Sequence, residues 1–131
     1  MITLDTSGVI ALLDARDSFH QEAIRALEGE GDLVVPAMAL SEMTYMIQRW
    51  VGRHLIDQFL TGFEDGSTLL DCGDLDVPRI RELMERYADL RLDFPDAAVI
   101  ACAERNGGRV LTFDRRDFDV VGRDVPITVV P

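Results

Sequence analysis

Ile2-Thr3-Leu4-Asp5-Thr6-Ser7 compresses a fold into six residues: a short apolar strand runs into an acid, then into two hydroxyl residues able to cap a helix. The pattern returns late in the chain as Val110-Leu111-Thr112-Phe113-Asp114, again an apolar run ended by an acid. Between and beyond them the same alternation continues. Leu33 to Val35, Thr68 to Leu70 and Ile127 to Val130 read as further strands, the last at an edge because Pro126 precedes it. Thr6-Ser7 starts a helix to about Leu13, and Asp17-Ser18 caps a second carrying Phe19, Ala23, Ile24 and Leu27 at helical spacing. Pro36 opens a long helix to about Val51, and Gly52 separates it from another built on Leu55, Ile56, Phe59, Leu60 and Phe63. Helices follow over Val77 to Leu90 and Pro95 to Glu104, the second stopped by Asn106-Gly107-Gly108. Asp114 to Phe118 reads as a turn or short helix. Strands separated by helices predict an α/β protein: a three-layer α/β/α sandwich around a central parallel sheet of four or five strands.

The chain has 131 residues, 47% of them hydrophobic, which suits a single domain over 1–131 with a core that needs no staples. No apolar run approaches the roughly 20 residues of a membrane helix, and no secretory leader precedes the first strand, so a cytoplasmic protein without membrane contact is expected. Cys72 and Cys102 lack metal-pair spacing; Cys102, in an Ala-rich helix, reads as a small buried hydrophobe. His20 and His54 lie in polar helical stretches and read as solvated positions. The stretch Phe59 to Phe63, with Trp50 near it, reads as core in preference to an interface.

The net charge is −11, and all 13 basic residues are Arg. An acidic surface does not bind nucleic acid by charge alone, although bound cations invert the local sign. It suits a basic partner. The absence of Lys excludes phosphate-loop NTPases and Schiff-base chemistry.

Four acids stand where a site would need them. Asp5 and Asp114 end two strands; if these are parallel neighbours, both acids emerge at the carboxyl edge, where open α/β sheets place their sites. Glu42 interrupts an apolar helix among Met38, Ala39, Tyr45 and Met46, a costly place for an unpaired carboxylate. Asp96 lies in the first turn of the helix opened by Pro95. Each has a plainer reading as well: Asp5 and Asp114 as caps, Asp96 as a complement to the helix dipole. Asp93 either caps that helix or joins the cluster, and Asp117 reads as a solvated charge. Together the acids form an all-oxygen donor set of the kind a hard divalent cation requires.

The stretches Ile2 to Ser7, Leu40-Ser41-Glu42, Asp96 to Glu104 and Leu111 to Phe118 resemble, in order and spacing, the four motifs of PIN-domain ribonucleases. The resemblance runs from first strand to last, and the chain resembles in particular the short VapC-type toxins of bacterial toxin–antitoxin pairs. It implies that Asp5, Glu42, Asp96 and Asp114 hold Mg²⁺ or Mn²⁺, with Asp93 as an auxiliary ligand, and that water activated there cleaves RNA. Thr6, Ser7 and Thr112 would orient the ligands or meet the phosphate; Arg115 and Arg116 would hold the RNA backbone or stand as plain surface charges. It also implies a cognate VapB-type antitoxin whose tail brings an Arg to the acidic pocket, a homodimer, and a toxin–antitoxin hetero-oligomer. The alternative within the same fold is a catalytically inactive PIN-like module that binds and titrates an antitoxin. A receiver domain would need a Lys, and an aspartyl phosphatase a second Asp where Ser7 stands.

Overall fold

The computed structural model describes residues 1–131. Five strands, β1 (Ile2–Leu4), β2 (Leu33–Pro36), β3 (Thr68–Asp71), β4 (Arg109–Leu111) and β5 (Thr128–Val130), form one sheet in the order β3-β2-β1-β4-β5. Every pairing is parallel, with Thr3 opposite both Val34 and Val110, and Leu4 opposite Leu111. Seven helices connect the strands: α1 (Thr6–Leu13), α2 (His20–Ala26), α3 (Ala37–Trp50), α4 (Arg53–Glu64), α5 (Val77–Arg86), α6 (Phe94–Arg105) and α7 (Arg115–Val121), with a 3-10 turn at Ala88–Leu90. No helix is long and apolar enough to cross a membrane.

Successive strand residues point to opposite faces. Ile2, Thr3 and Leu4 are all buried, as are Val34, Val35, Val110 and Leu111, so the middle of the sheet is covered on both sides. The edge strand β3 is not; Leu69 and Leu70 are exposed. A connected cluster of 27 buried hydrophobic residues joins sheet and helices. Helix α6 is buried without a break from Ala97 to Ala103, as a helix apolar all round should be. Its small side chains let it pack at once against β1, β2, β4, α3 and α5. Its far end is tied down by Arg105, which donates to Asp71 at 2.8 and 3.0 Å and to Asp76 at 2.6 and 2.7 Å. Glycine is required at Gly8: a Cβ there would drive into the carbonyl oxygen of Leu111, so α1 rests directly on the end of β4.

Several boundaries differ from the sequence reading for local reasons. Asp5, rather than Thr6-Ser7, caps α1 through the Thr6 amide. Pro36 closes β2, and α3 begins at Ala37. Asp17 accepts from the Phe19 amide, so α2 starts only at His20. Strand β4 ends at Leu111: the Thr112 amide still donates to the Val130 carbonyl at 3.2 Å, but the amides of Phe113 and Asp114 turn to side-chain acceptors. Phe59 is buried, but Trp50 is 64% exposed, which removes it from the expected core. His20 is half-buried, its Nδ1 2.7 Å from the Ala11 carbonyl oxygen, whereas His54 is exposed. Cys102 is buried, Cys72 is exposed, and both are free.

Candidate functional site

Strands β1 and β4 are neighbours at the point where the sheet order reverses, so the crevice at their carboxyl ends is the place an α/β fold offers to a ligand. Asp5 follows β1 and Asp114 follows β4 by three residues. Asp5 is only 6% exposed. Its Oδ1 accepts from the Thr6 amide at 2.6 Å; its Oδ2 accepts from Thr112 Oγ1 at 2.6 Å and Ser7 Oγ at 3.0 Å. The same hydroxyls accept in turn: Thr112 Oγ1 from the Asp114 amide at 3.1 Å, Ser7 Oγ from the Phe113 amide at 2.9 Å. Each hydroxyl has one proton, and both protons are committed to Asp5. The 3.1 Å approach of Ser7 to Thr112 then only completes the clasp. This network fastens the turn after β4 to the turn after β1 and fixes one carboxylate relative to the other.

The remaining acids come from helices. Glu42 sits half-buried in the second turn of α3. Asp93 caps α6, accepting from the Asp96 amide at 3.1 Å, and Asp96 lies in that first turn. Asp5, Glu42, Asp93, Asp96 and Asp114 line one cleft of about 930 Å³. Their protonation follows from the crowding. Burial raises the Asp5 pKa against three hydrogen bonds that lower it, with Asp114 adding to the rise. Burial also raises Glu42, followed by the charges of Asp93 and Asp5. Asp96 is pushed up to about 8 by burial, then by Asp93, Asp5 and Asp114. Raised values in a cleft with a named cause mark negative charge that nothing nearby compensates.

The donor set suits a hard cation: carboxylates converge on one cleft whose lining holds neither Cys nor His. The side chains stand apart, as like charges do, and no three of them are drawn together into a ligand cluster. Thr6, Ser7 and Thr112 act on Asp5 as described. Arg115 and Arg116 lie outside the cleft lining: Arg115 pairs with Asp119 and reaches the Pro131 carbonyl, while Arg116 pairs with Asp117. The basic residue in the lining is Arg16, held to Asp14 at 3.1 Å. Sequence reading missed Arg16, because the stretch from Asp14 to Phe19 has no periodicity to place it. It also missed the cleft's apolar wall of Phe19, Met46, Trp50 and Phe113. A signal for part of that wall existed: Met46 and Trp50 follow Glu42 at intervals of four.

A five-stranded parallel sheet with carboxylates gathered at its switch point defines a class of small acidic-cleft α/β domains. The chain belongs to the PIN domain family, which it matches over residues 2–124. It is 29% identical to Ribonuclease VapC26 of Mycobacterium tuberculosis over 121 residues, 90% of each chain. The crystal structure of Mycobacterium tuberculosis VapC20, a sarcin-ricin loop cleaving toxin, superposes with a TM-score of 0.78 at 22% identity, covering 93% of this chain and 95% of that one. The structure of FitAcB from Neisseria gonorrhoeae gives a TM-score of 0.65 at 18% identity, over 100% of this chain and 97% of that one. The PIN-like three-layer fold expected from the sequence is the fold observed.

Proposed function

We propose that this protein is a divalent-cation-dependent endoribonuclease, the toxin of a toxin–antitoxin pair, whose cleavage of RNA stops translation and growth. The observation that carries the reading is the placement of Asp5 and Asp114 at the switch point, with Glu42, Asp96 and Asp93 on the walls of the same cleft. Asp5, Glu42, Asp96 and Asp114 would hold Mg²⁺ or Mn²⁺, with Asp93 in support. A bound ion of this kind activates water and neutralises charge on a phosphodiester during in-line displacement. The chain's own residues prepare for it. Thr112 and Ser7 hold Asp5 in one orientation. Burial and the neighbouring carboxylates raise the Asp96 pKa, so binding a cation there would be coupled to the loss of its proton. The likeness to Ribonuclease VapC26 supports RNA as substrate.

The same charge suits a small antitoxin whose tail places an Arg among these carboxylates, within a hetero-oligomer built on a toxin homodimer. The test is cleavage of total RNA by the purified protein with Mg²⁺ or Mn²⁺, with chelator, and by Asp5→Asn. New RNA ends that vanish with chelator and in a folded Asp5→Asn variant are expected. Equal cleavage by that variant would remove Asp5 from the site; no cleavage by the wild type would favour the inactive antitoxin-binding module.

A further inference from the structure

Helix α3 carries more than an acid to the cleft. Glu42, Met46 and Trp50 follow one another at four-residue intervals, so they form one stripe, and all three line the cleft. Trp50 is the single Trp of the chain and is 64% exposed. An indole left this open at the rim of an acidic site has no part in the core. Another part of the lining holds Phe19 stacked on Phe113, with centroids 4.6 Å apart and planes 15° apart; Phe113 immediately precedes Asp114. The charges in the lining exclude the usual way of holding RNA. Seven acids line the cleft (Asp5, Asp14, Asp17, Glu42, Asp93, Asp96 and Asp114) against one Arg, and that Arg is paired. Proteins that bind single strands combine a basic groove with aromatic platforms. This cleft has the platform without the basic groove.

We propose that Trp50 is a positioning residue for the ribonuclease reaction, a platform on which one unpaired nucleobase of a single-stranded RNA segment stacks, a few nucleotides from the cleaved phosphodiester. The inference rests on the ribonuclease reading and deepens it. Glu42 and Trp50 lie about 12 Å apart along the helix axis, eight residues at 1.5 Å each. A phosphodiester at the carboxylates therefore brings a base a few nucleotides away over the indole. A paired base cannot present its face in this way, so the preferred substrate is a loop or other unpaired segment. Stacking works through the face of the base and needs no positive charge, which is how a chain of net charge −11 can hold a polyanion next to bound cations.

The test begins with the cleavage site mapped by RNA-end sequencing, using total RNA and the wild-type protein with Mn²⁺. Oligoribonucleotides spanning that site are then made intact and with a single abasic nucleotide at each flanking position. Trp50→Ala should lower kcat/KM on the intact oligonucleotide by about 5- to 150-fold, mainly through KM, and Trp50→Phe should recover most of the loss. At one flanking position the abasic change should cost the wild type a similar factor and cost Trp50→Ala almost nothing, because both remove the same contact. Emission from the single Trp should be quenched on mixing with the intact oligonucleotide and not with that abasic one. Losses that add at every position, or an unchanged kcat/KM in Trp50→Ala, overturn the proposal and leave the ribonuclease reading standing. So does a Trp50→Ala variant whose only change is its state of association in sedimentation, since Trp50 would then belong to a protein interface. If the wild type yields no RNA ends that Asp5→Asn abolishes, the ribonuclease reading fails, and the stacking role fails with it.

Discussion

Removing the Thr112 hydroxyl while keeping the shape of the side chain should loosen the site at its best-fixed point. Thr112 is fully buried, and its Oγ1 both donates to Asp5 at 2.6 Å and accepts from the Asp114 amide at 3.1 Å. In Thr112→Val both bonds are lost, and Thr112 is too deeply buried for bulk solvent to take their place. A hydrogen bond to a charged group contributes about 1.5–3 kcal/mol. The Asp114 amide adds little, because Asp114 is exposed and its N–H can turn to solvent. Asp5 escapes part of the cost by taking up a proton, since burial already raises its pKa. A loss of about 2 kcal/mol follows, or roughly 8 °C in Tm for a domain of this size. The sign of the pH dependence is fixed. The Thr112 bond lowers the Asp5 pKa, so its loss raises the folded value further; the deficit is complete at alkaline pH and shrinks as falling pH protonates Asp5. Thermal melts of Thr112→Val and Thr112→Ser across pH, beside RNA cleavage rates, make the measurement, with the Ser variant near wild type in both. A Val variant that melts within 2 °C of wild type at pH 7 and cleaves at the wild-type rate would refute the clasp as the device that holds Asp5.

With chelator present, Asp96 should govern the pH response. Its pKa is raised from 3.8 to about 8, so the stability it contributes is complete below about 3.8 and is lost as pH rises through about 8. The metal-free protein should melt higher at pH 5.5 than at pH 8.5, and Asp96→Asn should flatten that difference; because Asp96 is partly exposed, the size will fall well short of the full displacement. Millimolar Mg²⁺ or Mn²⁺ should raise Tm, by as much as about 2.7 kcal/mol of stability at 100 times the dissociation constant, with Mn²⁺ acting at lower concentration. Glu42→Gln should weaken that response while raising the metal-free Tm, and an unmoved transition in the wild type would count against the carboxylates as ligands. Gly8→Ala should cost about 1–3 kcal/mol in urea unfolding and lower the cleavage rate, because α1 must lift from the Leu111 carbonyl and carry Asp5 with it; a loss under about 0.5 kcal/mol would show that the contact yields.

The sheet was legible because its middle strands are buried on both faces and so appear as uninterrupted apolar runs: Ile2 to Leu4, Leu33 to Val35, Val110 and Leu111. The acids at their ends were legible as the break in those runs. The clasp was not, because it joins residues more than one hundred positions apart through hydroxyl groups that look like ordinary helix caps. Asp5 does both things at once, capping α1 with Oδ1 and anchoring Thr112 and Ser7 with Oδ2, so the two readings of that residue were never in competition. Asp93 likewise caps α6 and lines the cleft. Arg115, outside the cleft lining, donates to the Pro131 carbonyl, a partner that no local pattern announces. Trp50 was misplaced because apolar neighbours in sequence suggest a core, whereas its helical phase, set by Glu42, points it to the cleft.

The acidity of the chain and its proposed action on RNA reconcile once the contributions are separated. In most nucleic-acid complexes the phosphates dominate affinity and act through Lys and Arg. Here the cleft lining offers one paired Arg among seven acids, so phosphate binding without a cation is opposed, and the protein alone should ignore bulk RNA. A bound divalent ion reverses the sign only at the carboxylates, beside the bond to be cut, and leaves the rest of the cleft repulsive. Affinity beyond that point must come from groups indifferent to phosphate charge, and the exposed indole and the Phe19–Phe113 pair are the groups the cleft supplies. On the proposed reading the arrangement would select against duplexes, whose bases are hidden, and in favour of an unpaired segment able to give up a base to the wall. The same repulsion that would screen out most RNA suits a basic peptide, so on the proposed reading one charge distribution would serve both selective cleavage and inhibition by a partner with an Arg to place among the acids.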